Sequence, residues 1–323
     1  MNEELYPLKF KPILKDKIWG GQKLNHILNK NGNLPNIGES WEISDVDGDT
    51  SVVSNGKLLG TTLQDLLKTY KSDLLGTHNY KQFGATFPLL IKFIDAKEDL
   101  SIQLHPNDEL AKIRHNSFGK TEMWYVMQVD DDANIIVGFN QEVNKETYLK
   151  HLEDKTLTEI LNFDNVKEGD VYFIEVGRVH AIGAGVMLAE IQQTSDITYR
   201  VYDWDRVDDQ GSERELHNDL AIDAIDFDMP NDFRKTYSKE MNRSNEMVIC
   251  QYFKTSFLPV SGIVERHNDK DSFIIYMCVE GNAVVRANGH EETLAKGETI
   301  LIPAIIKDYN ISANNAKLLE VYV

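Results

Sequence analysis

Cysteine is nearly absent from this chain of 323 residues: Cys250 and Cys278 are the whole complement. Both sit in apolar, strand-like surroundings, so the expectation is two reduced, buried thiols, with no disulfide frame and no sulfur-ligated metal. Any metal must then be held by histidine, carboxylate or amide. Basic residues are also scarce, 34 Lys and Arg against 52 Asp and Glu, for a formal charge of −18. A field of that sign argues against nucleic acid or an anionic membrane as partner, and an anionic substrate would need a locally basic pocket. No stretch approaches the roughly 20 apolar residues of a membrane span. The N-terminus, MNEELYPLKF, lacks the basic and then apolar pattern of a secretory signal, so a cytoplasmic location is expected. With 41% hydrophobic and 27% charged residues, the chain has the composition of a globular protein of one large or two medium domains.

What is present is mostly strand. Short alternating or apolar runs bounded by Gly, Asn and Asp recur: FPLLIKFI at 87–94, EMWYVMQV at 122–129, DVYFIEV at 170–176 and ETILIPA at 298–304. Helical periodicity is confined to 61–75, 107–115, 144–162 and 212–227, which read as insertions around a sheet framework. The polar stretch 228–246 has little periodicity and contains Pro230, so a linker is expected there, with a boundary near 235. An internal repeat supports it. KEGDVYFIEVGRVH at 167–180 aligns with AKGETILIPAIIKD at 295–308, and EMWYVMQVDDDANI at 122–135 with SFIIYMCVEGNAVV at 272–285. Two similar β-barrels are expected, residues 1–235 and 236–323.

The chemistry concentrates in the first copy. In SIQLHPND at 101–108, Gln103 and His105 are two apart, which in an extended chain points both to one face. Alone, such a pair reads as a polar edge strand. The spacing from Gly169 through Glu175 and Gly177 to His180 resembles the second motif of the cupin superfamily, with Glu175 where that motif usually has Pro. The second copy has Asp308 opposite His180 and Ser272 opposite Glu122, so the expectation is that only the first barrel keeps ligands. Two His and one carboxylate suit Zn²⁺, and on residue types alone they equally suit the facial triad of a non-haem Fe(II) oxygenase.

Several segments resemble a specific cupin family, the type I mannose-6-phosphate isomerases in their short bacterial form: IWGG at 18–21, GESWEISD at 38–45, KFIDAKEDLSIQLHPND at 92–108, GKTEMWYV at 119–126, VGRVHAIGAG at 176–185, EIQQTSDITYRVYDWDR at 190–206 and RELHNDLAIDAIDF at 214–227. The resemblance implies two jelly-roll cupin barrels with helical insertions. It implies one Zn²⁺ per chain held by Gln103, His105, Glu122 and His180, the amide being the weakest donor. It places a catalytic arginine at Arg200 and the substrate phosphate near Lys92, Ser101 and Arg206, and it implies interconversion of mannose 6-phosphate and fructose 6-phosphate through an enediol-type intermediate. Glu190, Lys120 and a metal-bound water are all open as the proton carrier. Trp19, Trp41 and Tyr202 are candidate pocket walls. A cupin-type phosphoglucose isomerase and a non-catalytic sugar-binding cupin stay open as alternatives, and the residues say nothing of oligomeric state.

Overall fold

The computed structural model describes residues 4–208, 210–228 and 233–323. A seven-stranded antiparallel sheet runs in the order Ile13–Gly21, Ile37–Ile43, Leu89–Asp95, Val186–Gln193, Glu122–Val129, Val171–Ile174 and Arg234–Lys235. It faces a five-stranded sheet ordered Tyr199–Tyr202, Ile102–Leu104, His180–Ile182, Asn134–Phe139 and Leu161–Asn165. The central strands of the larger sheet are buried on both faces, which explains their unbroken apolar runs. Alternation still sorts their side chains. Ile94, Trp124, Val126, Val186 and Leu188 meet Val137 and Ile182 of the smaller sheet between the layers. Phe93, Met123, Tyr125, Ala189 and Ile191 turn outward, where they share one large core with the N-terminal segment, the helices of 63–75 and the C-terminal unit. Lys92, Glu122 and Glu190 lie in phase with the inward set, so their polar ends enter an otherwise apolar interior.

The C-terminal unit is a separate sheet built from Asn245–Ile249, Lys254–His267, Ile274–Ala287, His290–Ala295, Thr299–Ile302 and Asp308–Tyr322. Its own core includes Leu258, Tyr276, Ile300 and Leu318. The mainly β, cupin-type architecture expected from the sequence is thus the architecture observed. The expected linker, 228–246, falls partly outside the described residues, at 229–232; within it Arg234 and Lys235 pair with Tyr172 and Val171 of the first unit.

The internal repeat is present, with a shifted register. Gly169 and Gly297 both adopt positive φ, 86° and 85°, at the turn before the matched strands, a conformation that favours glycine. Gly169 donates its N–H to the Val126 carbonyl, and Gly297 donates to that of Cys278. Ile174 pairs with Glu122, and Ile302 pairs with Ile274. The counterpart of Glu122 is therefore Ile274, two residues beyond the Ser272 that alignment of the apolar runs selects. A two-residue slip keeps every side chain on its face, so hydrophobic alternation is blind to it.

The helices depart most from expectation. The periodic stretch 212–227 forms a helix only at Asn218–Ala221, because Arg214 is drawn out to Asp203 and the His217 N–H is taken by the Arg200 carbonyl. The 144–162 stretch splits into Lys145–Glu153 and a 3₁₀ turn at Leu157–Ile160, with Lys155 at φ 57° between them. A helix at Thr77–Phe83 had no counterpart in the periodicity. Among the described residues, no helix is long and apolar enough to cross a membrane.

Candidate active site

His180 and Gln103 are antiparallel neighbours in the smaller sheet, Glu122 opens a strand of the larger one, and His105 follows the end of Ile102–Leu104. Across the gap between sheets, His180 Nε2 lies 3.5 Å from Glu122 Oε1 and His105 Nε2 lies 3.6 Å from Glu122 Oε2. The Gln103 amide nitrogen is 3.5 Å from His180 Nε2. All three charged-type donors are about 1% exposed.

Both imidazoles are oriented from behind. The His105 Nδ1 contacts the Ile197 carbonyl and the His180 Nδ1 that of Arg178, each at 2.8 Å. In the neutral ring this fixes the proton on Nδ1 and turns the Nε2 lone pair inward, the usual support of a metal-ligating histidine. Burial holds His180 down at about 4 and His105 well below its ordinary value, so both rings are neutral. Burial, reinforced by the nearby Glu190, pushes the Glu122 carboxyl up to about 8. His105 Nε2 and Glu122 Oε2 are buried without a hydrogen-bond partner among the described residues. Orphaned atoms of this kind cost about 1–3 kcal/mol each. Ligands bound at about 2.0–2.1 Å in a tetrahedron stand roughly 3.3 Å apart, close to the two distances from Glu122, and all three donor atoms lie within 4.8 Å of one another. The donor set thus fits a small divalent cation, which would displace the Glu122 proton and satisfy both orphans.

Beside the cluster, and reaching it through Gln103 and Lys120, lies a cavity lined by cations and carboxylates: Lys17, Glu39, Lys92, Lys120, Glu190, Arg200 and Arg214, with Ser101, Gln103, Trp19 and Trp124. Lys120 Nζ sits 3.5 Å from Glu122 Oε2. Lys92 Nζ is 3.0 Å from Glu190 Oε1, and Trp124 Nε1 donates to Glu190 Oε2 at 2.9 Å. In the ladder Glu190 stands between Lys92 and Trp124, so three adjacent strands bring these groups side by side. Burial alone would raise the Glu190 carboxyl, but Lys92 and then Lys120 outweigh it and hold it below its ordinary value. The Ser101 hydroxyl reaches Gln103 Oε1 at 3.5 Å.

Three expectations shift. Arg206 does not line the cavity: its guanidinium is held by Asp203, the Asp99 carbonyl and Glu98. Arg214 does line it, with Nε 2.7 Å from Asp203, so Arg206 stands behind the carboxylate that braces Arg214. Tyr202 packs on Trp204 and Trp41 stands off the lining with its ring 5.3 Å from the Lys92 ammonium, so that Trp124 joins Trp19 as the pocket wall. Lys17, Glu39 and Arg214 were all present in or beside the resembling segments, but nothing in their spacing set them apart from surface charge.

The C-terminal unit repeats part of this arrangement in altered form. Tyr276 pairs with Glu320 as Trp124 pairs with Glu190, and its hydroxyl donates to Glu320 at 2.7 Å. There Arg266 closes directly on Glu320, and the positions matching Glu122 and His180 hold Ile274 and the exposed Asp308. Among the described residues, His105, Glu122 and His180 form the one group of three or more such side chains close enough to share a metal ion.

Residues 7–128 match the family described as phosphomannose isomerase type I, catalytic domain, and residues 243–323 match the mannose-6-phosphate isomerase cupin domain. Mannose-6-phosphate isomerase ManA of Bacillus subtilis is 34% identical over 311 residues, covering 94% of this chain and 95% of that protein. Mannose-6-phosphate isomerase of Streptococcus mutans is 31% identical over 309 residues, covering 95% and 96%. The crystal structure of the mannose 6-phosphate isomerase from Bacillus subtilis superposes with a TM-score of 0.88 at 31% identity, covering 98% of this chain and 99% of that one.

Proposed function

The chain belongs to the type I mannose-6-phosphate isomerases, and from that membership we propose that it interconverts mannose 6-phosphate and fructose 6-phosphate through an enediol-type intermediate, with one Zn²⁺ per chain. The observation that carries the reading is the buried His105, Glu122 and His180 cluster standing beside a cation-lined cavity within a protein of net charge −18. His105, Glu122 and His180 would hold the metal, with the Gln103 amide turned to offer its oxygen. When bound, a divalent ion supplies Lewis-acid polarisation of a substrate oxygen.

The remaining work falls to side chains. Moving a carbonyl between C1 and C2 takes a proton from one carbon and returns one to its neighbour. Both Glu190 oxygens are engaged, by Lys92 and Trp124, which supports a holding role for it. Lys120 has its amine at the mouth of the cluster beside Glu122, and we assign it the proton transfer. Arg200 adds fixed positive charge where the enediol oxygens develop theirs. The same reading gives catalysis to residues 1–235 and a supporting role to 236–323.

For the phosphate, Arg214 is better placed than Arg206 because it lines the cavity, and it keeps Nη1 for a ligand while Asp203 holds its Nε and Nη2. A guanidinium can offer two N–H groups to a dianion. Replacing Arg214 with Ala should raise KM for mannose 6-phosphate about 10- to 100-fold, the range for losing one charged hydrogen bond, with kcat little changed. An unchanged KM, with the loss appearing in Arg206→Ala instead, would return the phosphate to Arg206. The overall reading is tested by supplying mannose 6-phosphate and glucose 6-phosphate to the zinc-loaded protein and following fructose 6-phosphate. Turnover of the mannose sugar alone is expected. Turnover of the glucose sugar alone would make it a phosphoglucose isomerase, and no turnover of either would leave a binding protein.

A further inference from the structure

Lys120 is not carried by a strand. It belongs to the loop 119–121, which runs into Glu122–Val129 with its backbone N–H groups outside the ladder. A buried N–H needs a partner, and here two side chains and one carbonyl supply it. The Gly119 N–H donates to Asp108 Oδ1 at 2.8 Å, that of Lys120 reaches the Pro106 carbonyl at 3.4 Å, and that of Thr121 donates to Gln193 Oε1 at 2.9 Å. The Gln193 amide donates in turn to the same Asp108 oxygen at 3.1 Å, so Asp108 grips the loop directly at Gly119 and through Gln193 at Thr121. The fit is close: a Cβ on Gly119 would stand 2.7 Å from the Asp108 backbone nitrogen.

The other Asp108 oxygen is taken by the C-terminal unit. Tyr252, in the turn between Asn245–Ile249 and Lys254–His267, donates its hydroxyl to Asp108 Oδ2 at 2.7 Å. That turn is fixed in its own right, because the Cys250 N–H donates to the Phe253 carbonyl and Phe253, 1% exposed, packs in the core that the two units share. Burial first and Asp108 next push the Tyr252 hydroxyl up to about 12, so it remains a donor at neutral pH.

We propose that Asp108 is a positioning residue through which the C-terminal unit sets Lys120: Tyr252 fixes the carboxylate, the carboxylate fixes the 119–121 loop, and the loop aims the Lys120 amine beside Glu122. The metal ligand next in the chain does not depend on this grip, because Glu122 is paired in the ladder with Ile174 on one side and Gln192 on the other. A unit that has lost its own ligands thus acts on proton transfer and not on the metal. The inference rests on the assignment of proton transfer to Lys120.

Asp108→Ala, assayed with mannose 6-phosphate as the zinc-loaded protein, should lose about 10- to 100-fold in kcat per bound zinc, the scale on which displacing an active-site group by about an ångström acts. Its KM and zinc content should stay level. Asp108→Asn keeps an acceptor for Gly119 and Gln193 and offers an N–H to the Tyr252 oxygen, so it should recover most of that loss. Tyr252→Phe leaves the carboxylate its Gly119 and Gln193 contacts and should show the same split at smaller amplitude, about 3- to 10-fold in kcat per zinc. A role in folding alone would instead lower the melting temperature and the zinc content while kcat per zinc stayed normal, and that result would overturn the proposal. So would an Asp108→Asn enzyme as slow as Asp108→Ala, which would make charge and not position the contribution of Asp108. Normal kcat in Tyr252→Phe would remove the C-terminal unit from the chain of contacts. Two reference proteins separate the layers: wild type that fails to isomerise the sugar phosphate sinks the functional reading, and Lys120→Ala with normal kcat sinks the assignment of proton transfer. If both references behave as expected and Asp108→Ala is normal, only this inference has failed.

Discussion

His180→Ala protein should emerge from purification with about a tenth or less of the zinc carried by the wild type, and with its isomerase activity reduced in proportion. Among the proposed ligands, His180 is prepared by the fold as fully as His105. Its ring is buried, its Nδ1 is tied to the Arg178 carbonyl, and its Nε2 faces Glu122 at 3.5 Å. Loss of a group that merely orients a ligand typically costs 10- to 100-fold in metal affinity, so loss of the ligand itself should cost more. The remaining pair, His105 and Glu122, is also poorer in donors: with burial pushing Glu122 up to about 8, the cation must displace a proton with one fewer ligand to help it. Metal analysis of the purified protein checks this directly. The variant should melt near chelator-treated wild type, since both lack the metal's contribution to the folded state. Full zinc occupancy in His180→Ala, or two metals per wild-type chain, would mean that the site lies elsewhere.

The second large effect is expected at Arg200. Arg200→Ala should keep its zinc and melt near the wild type, yet lose about 10²-fold or more in kcat, comparable to removing one preorganised oxyanion donor. The separation of roles has a mechanical basis. The segment is held by its backbone: the Arg200 N–H contacts His217 Nδ1 and the Arg200 carbonyl accepts from the His217 N–H, neither of which needs the side chain. The guanidinium lines the cavity, with one nitrogen on the Glu215 carbonyl and its Nε buried without a partner among the described residues. Arg200→Lys should recover little, because a point charge cannot replace a planar fork that contacts two oxygens. Near-normal kcat with a raised KM would instead move Arg200 to the phosphate, beside Arg214.

Much of this was legible in the chain itself. Alternation at 122–129 located a strand to the residue, and the pair Gln103 and His105, with Glu122 and His180, supplied the donors that the structure brings together. These features are local: the face a side chain takes is set by a period of two, and the donor type by chemistry. The duplication was visible for the same reason, as a turn glycine followed by a strand.

Only the tertiary structure decided what stands opposite what. Gln103 and His180 meet across 77 residues of chain through a ladder register that no local pattern encodes. The same limit placed Ser272 where the ladder puts Ile274, since a slip of two preserves every face. The tertiary structure also set Arg206 outside the cavity that Arg214 lines. An arginine near the site reads identically whether its guanidinium enters the cavity or is spent on Asp203 and the Asp99 carbonyl. Lys92 was legible as an inward cation, but its partners Glu190 and Trp41 come from two flanking strands. Residue type and periodicity determine what a side chain can do and which way it points. Long-range pairing determines which charges are already compensated and which remain free for a substrate, because compensation depends on distances of a few ångströms between segments far apart in the chain.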